Sequence, residues 1–245
     1  MTTSSKKDAI FTQSQPHLVD FVFDEQVADV FPDMIRRSVP GYDTVISMLG
    51  VFAGRYVQPD SRVYDLGCSL GAATLALRRH IGVEGCTLIG VDNSEAMIQR
   101  CRLNIEKDHS QTPVDLVCDG IQNVGISNAS LVTLNFTLQF LKPAERLGMI
   151  ETIYQGLLPG GVLVLSEKIQ FPDEQIQASY TELHHDFKRA NGYSDMEISR
   201  KRQAIENVLI PETLQQHQQR LEAVGFSQVH CWFQCFNFVS LFAVR

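Results

Sequence analysis

The chain has 245 residues, of which 44% are apolar, and this is enough to bury one sizeable core without disulfide staples. Its net charge of −7 disfavours a surface that neutralises many phosphates, so we expect no direct nucleic-acid binding. No apolar run approaches the roughly 20 residues of a membrane span, and no apolar signal segment occurs near the N-terminus. These patterns predict a cytoplasmic protein without membrane association.

The six cysteines show neither CxxC spacing nor the spacing of a disulfide framework. Cys231 and Cys235 lie four residues apart in an apparent strand, which places both on one face as packing residues. We therefore expect reduced thiols and no metal site.

The predicted elements begin with a mobile tail at residues 1–18, followed by a single domain at residues 19–245. Helical patterning starts at Glu25 and is interrupted at Pro32 and at the turn Val39-Pro40-Gly41. Strands are predicted at residues 63–66, 87–91, 114–117, 131–136 and 162–167, the last after a turn at Pro159-Gly160-Gly161. Because amphipathic helices separate most of these apolar strands, the pattern predicts a doubly wound α/β fold with a mainly parallel sheet and helices on both faces.

A polar stretch at about residues 169–211 interrupts this alternation and contains the basic segments HHDFKRANGY and ISRKR. A connection of this length is uncommon, so we expect a helical insertion that acts as a lid or a subunit contact. A helix at 212–224 leads to two strands, at 228–233 and 236–244, which are too close in sequence for a crossover helix. They are predicted to pair antiparallel, giving a seven-stranded sheet with a C-terminal hairpin.

Several predicted strands end in glycine or polar residues that a parallel sheet brings to one edge. After the first strand, RVYDLGCSLGAATLALR places a glycine turn and a helix N-terminus at one crevice. Asp92, about 20 residues downstream, is placed to accept two ribose hydroxyls, and Asp119 is a candidate partner of an adenine amino group. Each residue also has a structural explanation, because Asp92 can cap its helix and Asn135 can anchor a turn. Their combination predicts a nucleoside site.

The spacing of the glycine turn decides between nucleoside ligands. A dinucleotide fingerprint aligned on Gly67 requires glycine at Ser69 and Ala72, so NAD is not expected. The turn resembles the first motif of class I S-adenosylmethionine-dependent methyltransferases, an acid followed by Gly-x-Gly-x-Gly, with Ser69 in place of the middle glycine. From Val63 to the end of the chain this resemblance implies a Rossmann-like class I methyltransferase fold.

Longer segments carry a closer resemblance. FDEQVADVFPDMIRRSVPGY, VYDLGCSLGAATL, VDNSEAMIQRC, NFTLQFL, HHDFKRANGYS and WFQCFNF together are similar to the bacterial carboxy-S-adenosyl-L-methionine synthase family. The resemblance implies that S-adenosyl-L-methionine is converted to carboxy-S-adenosyl-L-methionine with prephenate, and that phenylpyruvate is released. It also implies a homodimer that acts upstream of a tRNA carboxymethyltransferase in wobble-uridine modification.

The family's ligand contacts, transferred to matching positions, are Tyr42, Gly67, Cys68, Ser69, Asp92, Asn93, Gly120, Ile121, Asn135 and Arg202. This chain has Asp119 before Gly120, where other members have glycine before aspartate. The carboxylate contact to adenine is therefore expected at Asp119, shifted by one residue.

Arg202 is the residue to which the resemblance assigns catalysis. A guanidinium repels a sulfonium, whereas it can hold the carboxylate of a carboxymethyl sulfonium bidentately. Without the resemblance, Arg200, Lys201 and Arg202 would be interpreted as a solvated helix face. We expect no dedicated general base. His184 and His185 are candidates for a base, but polar histidines on a helix are more commonly surface residues, and this is how we interpret them.

Two other function classes remain open from the sequence. An ordinary S-adenosylmethionine-dependent methyltransferase acting on tRNA or a small molecule would form a methylated product without prephenate. A non-catalytic nucleoside-binding module would form no product. Arg202 distinguishes the synthase from the methyltransferase, because only a carboxylated ligand requires a cation at that position.

Overall fold

The computed structural model describes residues 6–12, 22–205 and 208–245. The strands within these residues are β1 (Arg62–Leu66), β2 (Thr87–Asp92), β3 (Val114–Cys118), β4 (Ala129–Asn135), β5 (Leu157–Lys168), β6 (Ser227–Cys235) and β7 (Phe238–Val244). The helices are α1 (Glu25–Ser38), α2 (Tyr42–Tyr56), α3 (Ala72–Arg78), α4 (Glu95–Glu106), α5 (Pro143–Gly156), α6 (Glu174–Ala190), α7 (Asp195–Ile205) and α8 (Leu214–Val224).

The described strands form one seven-stranded sheet in the order β3-β2-β1-β4-β5-β7-β6. Strands β1 to β5 pair in parallel, whereas β7 pairs antiparallel with both β5 and β6. The predicted mainly parallel sheet with a C-terminal antiparallel hairpin is therefore confirmed.

Apolar side chains of the central strands alternate between two cores, one on each face of the sheet. In β5, Leu163 and Leu165 pack into the core that contains Ile150 of α5. Val162 and Val164 of the same strand face the core on the other side, which also contains Leu77 of α3. This burial on both faces explains why the central strands are continuous apolar runs.

The predicted helix interruption at Pro32 is wrong, because α1 runs through this residue. Proline lacks an N–H and its ring crowds the carbonyl four residues earlier, which normally weakens a helix. The apolar face of α1 compensates, since Val27 and Met34 are buried. In addition, the Asp24 side chain caps the helix by accepting a hydrogen bond from the Val27 N–H at 2.9 Å.

The predicted turn at Pro159-Gly160-Gly161 lies within the bounds of β5. The chain nevertheless bends there, because Gly160 has a φ of 73°. The register between β4 and β5 also shifts between Ala129 and Leu131. A local irregularity at the start of β5 therefore replaces a separate connecting turn.

The segment at residues 169–211 carries α6 and α7 between β5 and α8. Its end is fixed to α5 by the buried Arg146, whose guanidinium donates to the carboxylate of Glu212 at 2.6 Å and to the carbonyl of Ile210 at 2.7 Å. This anchorage holds the polar segment over the carboxyl ends of the parallel strands.

Of the predicted mobile tail, only residues 6–12 are described; the other predicted tail residues, 1–5 and 13–18, lie outside the described residues. Asp8 is 2% exposed and accepts a hydrogen bond from the Tyr193 hydroxyl of the segment before α7. Arg37 of α1 donates to the Asp8 carbonyl at 3.3 Å. The short described part of the tail is thus packed between α1 and the α6–α7 segment.

The predicted free thiols are confirmed, since all six cysteines are unpaired. Cys68, Cys86 and Cys101 are buried, and Cys231 and Cys235 are half-buried within β6.

Among the helices that the structure describes, none has the length and apolar content needed to cross a membrane.

Candidate active site

A cavity of about 660 Å³ lies at the carboxyl ends of the parallel strands. β1 is the point at which the strand order reverses, since β2 follows it on one side and β4 on the other, and open α/β sheets bind ligands at such a point. The volume falls within the range of about 300–1,000 Å³ typical of small-molecule sites. Nine of the eleven predicted ligand residues line it: Tyr42, Gly67, Cys68, Ser69, Asp92, Asn93, Gly120, Ile121 and Asn135.

The loop after β1 requires glycine at Gly67. Its φ is 86°, and a Cβ atom there would lie 2.1 Å from the Thr137 hydroxyl oxygen. The N–H groups of Gly67 and Cys68 both donate to the carbonyl of Val91, at 2.7 and 2.9 Å, and the Ser69 N–H donates to Asp92. These three N–H groups are therefore used inside the protein and do not cradle a pyrophosphate.

Asp65, at the end of β1, has a structural role. Its carboxylate accepts hydrogen bonds from the hydroxyls of Thr74 at 2.6 Å and Thr133 at 3.0 Å. Burial raises its pKa to about 6. Because both carboxylate oxygens bind threonine, Asp65 fixes the start of α3 against β4.

Asp92 connects the loops that follow β1 and β2. One carboxylate oxygen accepts from the Ser69 N–H and the other from the Ser94 N–H, both at 2.9 Å. The N-cap of α4 is Ser94, so Asp92 does not cap the helix itself. Each oxygen retains a further lone pair, and burial raises the pKa of Asp92. The residue is fixed at the cavity wall with acceptor capacity for hydroxyl groups.

Asn135, at the end of β4, lines the same cavity. Its Oδ1 atom is buried and has no hydrogen-bond partner within the described residues. A buried acceptor without a donor is costly, and this fits a ligand that carries an N–H group. The amino group of S-adenosyl-L-methionine is such a donor.

Two predicted residues lie outside the cavity wall. Asp119 is exposed, and its carboxylate accepts from the Asn123 side chain at 2.8 Å and the Gly120 N–H at 2.7 Å, which lowers its pKa. Arg202 is exposed on α7, whereas its neighbour Lys201 lines the cavity. Asp119 therefore stabilises the turn that carries Gly120.

Four lysines line the cavity, and none was identified from the sequence as a cavity residue; Lys142 is exposed, and the other three lie on β5 and the α6–α7 segment. Lys168 ends β5, Lys188 lies in α6 and Lys201 lies in α7; we call these residues the lysine wall. Burial, together with neighbouring cations, lowers the pKa of Lys188 to about 7, and burial lowers that of Lys201 to about 8. The basic segments in the sequence were the available signal, although they do not show which side chains face inward.

His184 is buried, so the interpretation of this residue as a surface histidine is wrong. Its ring lies 5.0 Å from that of Phe238, and its Nε2 atom lies 2.8 Å from the Ser38 carbonyl oxygen. Since a carbonyl only accepts, Nε2 donates this hydrogen bond. Burial, followed by the charges of Lys188 and Lys168, lowers the pKa of His184 to about 2. The ring is therefore neutral.

Similarity to known proteins identifies the family of this chain. A carboxy-S-adenosyl-L-methionine synthase from Vibrio campbellii is 56% identical over 245 residues, covering 100% of both chains. A protein of the same name from Shewanella loihica is 58% identical over 242 residues, covering 99% of this chain and 100% of that one. The chain belongs to the carboxy-S-adenosyl-L-methionine synthase family. A broader family, described as a methyltransferase domain, matches residues 63–161.

Solved structures support the fold of this synthase family member. A putative S-adenosyl-L-methionine-dependent methyltransferase from Methanococcus maripaludis aligns with a TM-score of 0.59 at 16% identity, covering 94% of this chain and 96% of that one. At this identity the similarity shows the class I methyltransferase fold alone. The roles of individual residues in this chain are therefore argued from its own structure.

Proposed function

We propose that the chain converts S-adenosyl-L-methionine to carboxy-S-adenosyl-L-methionine, with prephenate as the source of the carboxyl group. Prephenate loses carbon dioxide and its ring hydroxide and becomes phenylpyruvate. The methyl carbon loses a proton and forms a bond to the carbon dioxide, while the proton and the hydroxide combine to form water. The family name supports the product, and the resemblance described above is the source of the prephenate assignment.

The observation that carries this proposal is the lysine wall, which shares one cavity with the residues predicted to bind the nucleoside. The sulfonium of S-adenosyl-L-methionine is positively charged, and cations near it weaken its binding because like charges repel. Carboxylates on a second substrate and on the product remove this penalty. A cationic cavity therefore fits carboxylation better than methyl transfer.

Two titratable groups of the cavity wall are poor bases for the methyl proton. His184 is a neutral ring with a strongly lowered pKa, and Lys188 binds a carboxylate only in its protonated form. The hydroxide that leaves prephenate is a base generated next to the reacting carbon. We therefore propose that the protein supplies positioning, exclusion of water and anion binding, and that the second substrate supplies the base.

We also propose that the chain forms a homodimer through α6 and α7. Large apolar side chains are exposed on these helices: Ile176 is 45% exposed, Leu183 42% and Met196 57%. Ile176 and Leu183 are seven residues apart and share one face of α6. Arg202 is exposed on α7, and its proposed contact with the ligand carboxylate is then made either within its own subunit or across this interface.

The product is proposed to serve a second enzyme, a tRNA carboxymethyltransferase that modifies wobble uridine. The net charge of −7 supports a small-molecule site in this chain, and we propose that the partner enzyme binds the tRNA.

The test is to incubate the purified protein with S-adenosyl-L-methionine, with and without prephenate, and to analyse the nucleosides by mass spectrometry. The expected result is a carboxylated nucleoside that requires prephenate, together with an equal amount of phenylpyruvate. Phenylpyruvate plus bicarbonate in place of prephenate is the control and should give no product. Absence of a carboxylated nucleoside, or formation of a methylated acceptor, would contradict the proposal.

A further inference from the structure

Lys188 is a buried cation whose charged neighbours are also cations. It is 8% exposed. Within the described ranges, no residue accepts a hydrogen bond from its ammonium group or forms an ion pair with it. Burial, followed by the charges of Lys201, Lys168 and Arg202, opposes its protonation. A buried ammonium without an acceptor is costly unless an anion shares its cavity.

The position of Lys188 is fixed through Ser38, at the end of α1. The Ser38 carbonyl accepts from Nε2 of His184, one turn before Lys188 on α6, at 2.8 Å. The Ser38 hydroxyl accepts from Nζ of Lys201 on α7, also at 2.8 Å. One residue of α1 thus holds both insertion helices in place and keeps Lys188 and Lys201 in the cavity wall.

Lys201 has partial compensation that Lys188 lacks. Its ammonium group lies 3.6 Å from the Asp8 carboxylate and 3.4 Å from the Tyr193 hydroxyl. Asp8 also accepts a hydrogen bond from Tyr193. The described part of the N-terminal segment therefore balances Lys201, and Lys188 remains the cation whose counter-ion a ligand must supply.

We propose that the lysine wall binds the dicarboxylate substrate and that Lys188 holds one of its two carboxylates. This inference rests on the proposed function and identifies the residues that hold its second substrate. The three lysines lie on separate elements, β5, α6 and α7. They can therefore make charge-assisted contacts to both carboxylates of a dicarboxylate, which binds more tightly than a monocarboxylate. Phenylpyruvate has a single carboxylate. The lysine wall therefore binds prephenate more tightly than phenylpyruvate, which favours the release of phenylpyruvate.

The inference is tested by titrating prephenate calorimetrically into protein saturated with S-adenosylhomocysteine, which lacks the reacting methyl group and prevents turnover. We expect Lys188→Met to weaken prephenate binding about tenfold or more, because a charge-assisted contact is lost. The affinity for S-adenosylhomocysteine should change less than about twofold, which also reports that the variant is folded. In turnover assays the KM for prephenate should rise while the KM for S-adenosyl-L-methionine stays constant.

Lys107→Met is the matched control, since it removes the same charge from an exposed lysine after α4. Unchanged prephenate binding by Lys188→Met, or an equal loss with Lys107→Met, would overturn the inference. The proposed function fails separately if the wild-type protein binds prephenate through Lys188 but forms no carboxylated nucleoside. Lack of prephenate binding by the wild-type protein would overturn both.

Discussion

The Asp92 carboxylate accepts a hydrogen bond from the backbone N–H of Ser69 at 2.9 Å, and this contact joins the loops after β1 and β2. The second carboxylate oxygen accepts from the Ser94 N–H, so both oxygens face a backbone donor. Asp92 therefore shapes the crevice by holding two loops, and its remaining lone pairs are left for further donors at the cavity wall.

Asp92→Asn is expected to weaken binding of S-adenosyl-L-methionine about ten- to a hundredfold. An amide presents one NH₂ group, which must then face either the Ser69 or the Ser94 N–H, so one backbone donor loses its acceptor. Calorimetric titration measures the affinity, and Asp115→Asn, at an exposed position in β3, is the control. Equal affinity of the Asp92 variant and the wild type would contradict this role.

The sequence was sufficient to predict the sheet and the nucleoside half of the cavity. Buried parallel strands are apolar runs, and the residues that follow them converge at one edge regardless of how the helices pack. Gly67, Asp92 and Asn135 were therefore placed correctly in one cavity. Asp119 does not line it, because its carboxylate accepts hydrogen bonds from the Gly120 N–H and the Asn123 side chain of its own loop.

The cationic half of the cavity was not predictable in the same way. Neighbouring residues of a helix point about 100° apart, so the segment ISRKR does not show whether Lys201 or Arg202 faces inward. Ser38 of α1 decides this by accepting from Lys201, and it is distant in sequence from α7. Tertiary contacts determine which side chains of α6 and α7 face the cavity. Because the segment is polar, its sequence has no periodic apolar pattern that would reveal this face.

His184→Gln is expected to retain kcat within about threefold of the wild type. The ring is neutral and donates from Nε2 to the Ser38 carbonyl, and a glutamine amide can make the same kind of hydrogen bond. His184→Phe should instead lower the free energy of unfolding by about 1–3 kcal/mol, because the carbonyl loses its donor. Steady-state kinetics and urea unfolding measure the two effects. A loss of kcat above a hundredfold in folded His184→Gln would show that His184 acts as a base.

Lys188→Met is expected to stabilise the ligand-free protein at low pH. The folded-state pKa of Lys188 is lowered from 10.5 to about 7 by burial and by neighbouring cations. Between these values the unfolded chain binds more protons than the folded chain. The free-energy cost of burying the charged Lys188 is therefore complete below about pH 7 and disappears as the pH rises towards 10.5. The variant should gain roughly 2–4 kcal/mol at pH 6 and little at pH 10. Urea unfolding at both pH values tests this, and a destabilised variant at pH 6 would contradict it.

Prephenate binding is expected to weaken as the pH rises above 7, because the dicarboxylate requires protonated Lys188. The groups that face this ammonium are His184 on α6, Lys201 and Arg202 on α7, and Lys168 on β5. His184 is already neutral, so it contributes no slope in this range, whereas Lys201, with a pKa of about 8, adds to the slope above pH 8. In protein saturated with S-adenosylhomocysteine, the affinity should fall by up to about tenfold per pH unit from pH 7 until the lysine pKa of the complex is reached. Lys188→Met should show a smaller slope between pH 7 and 8. An equal slope in the variant and the wild type would assign the pH dependence to another group.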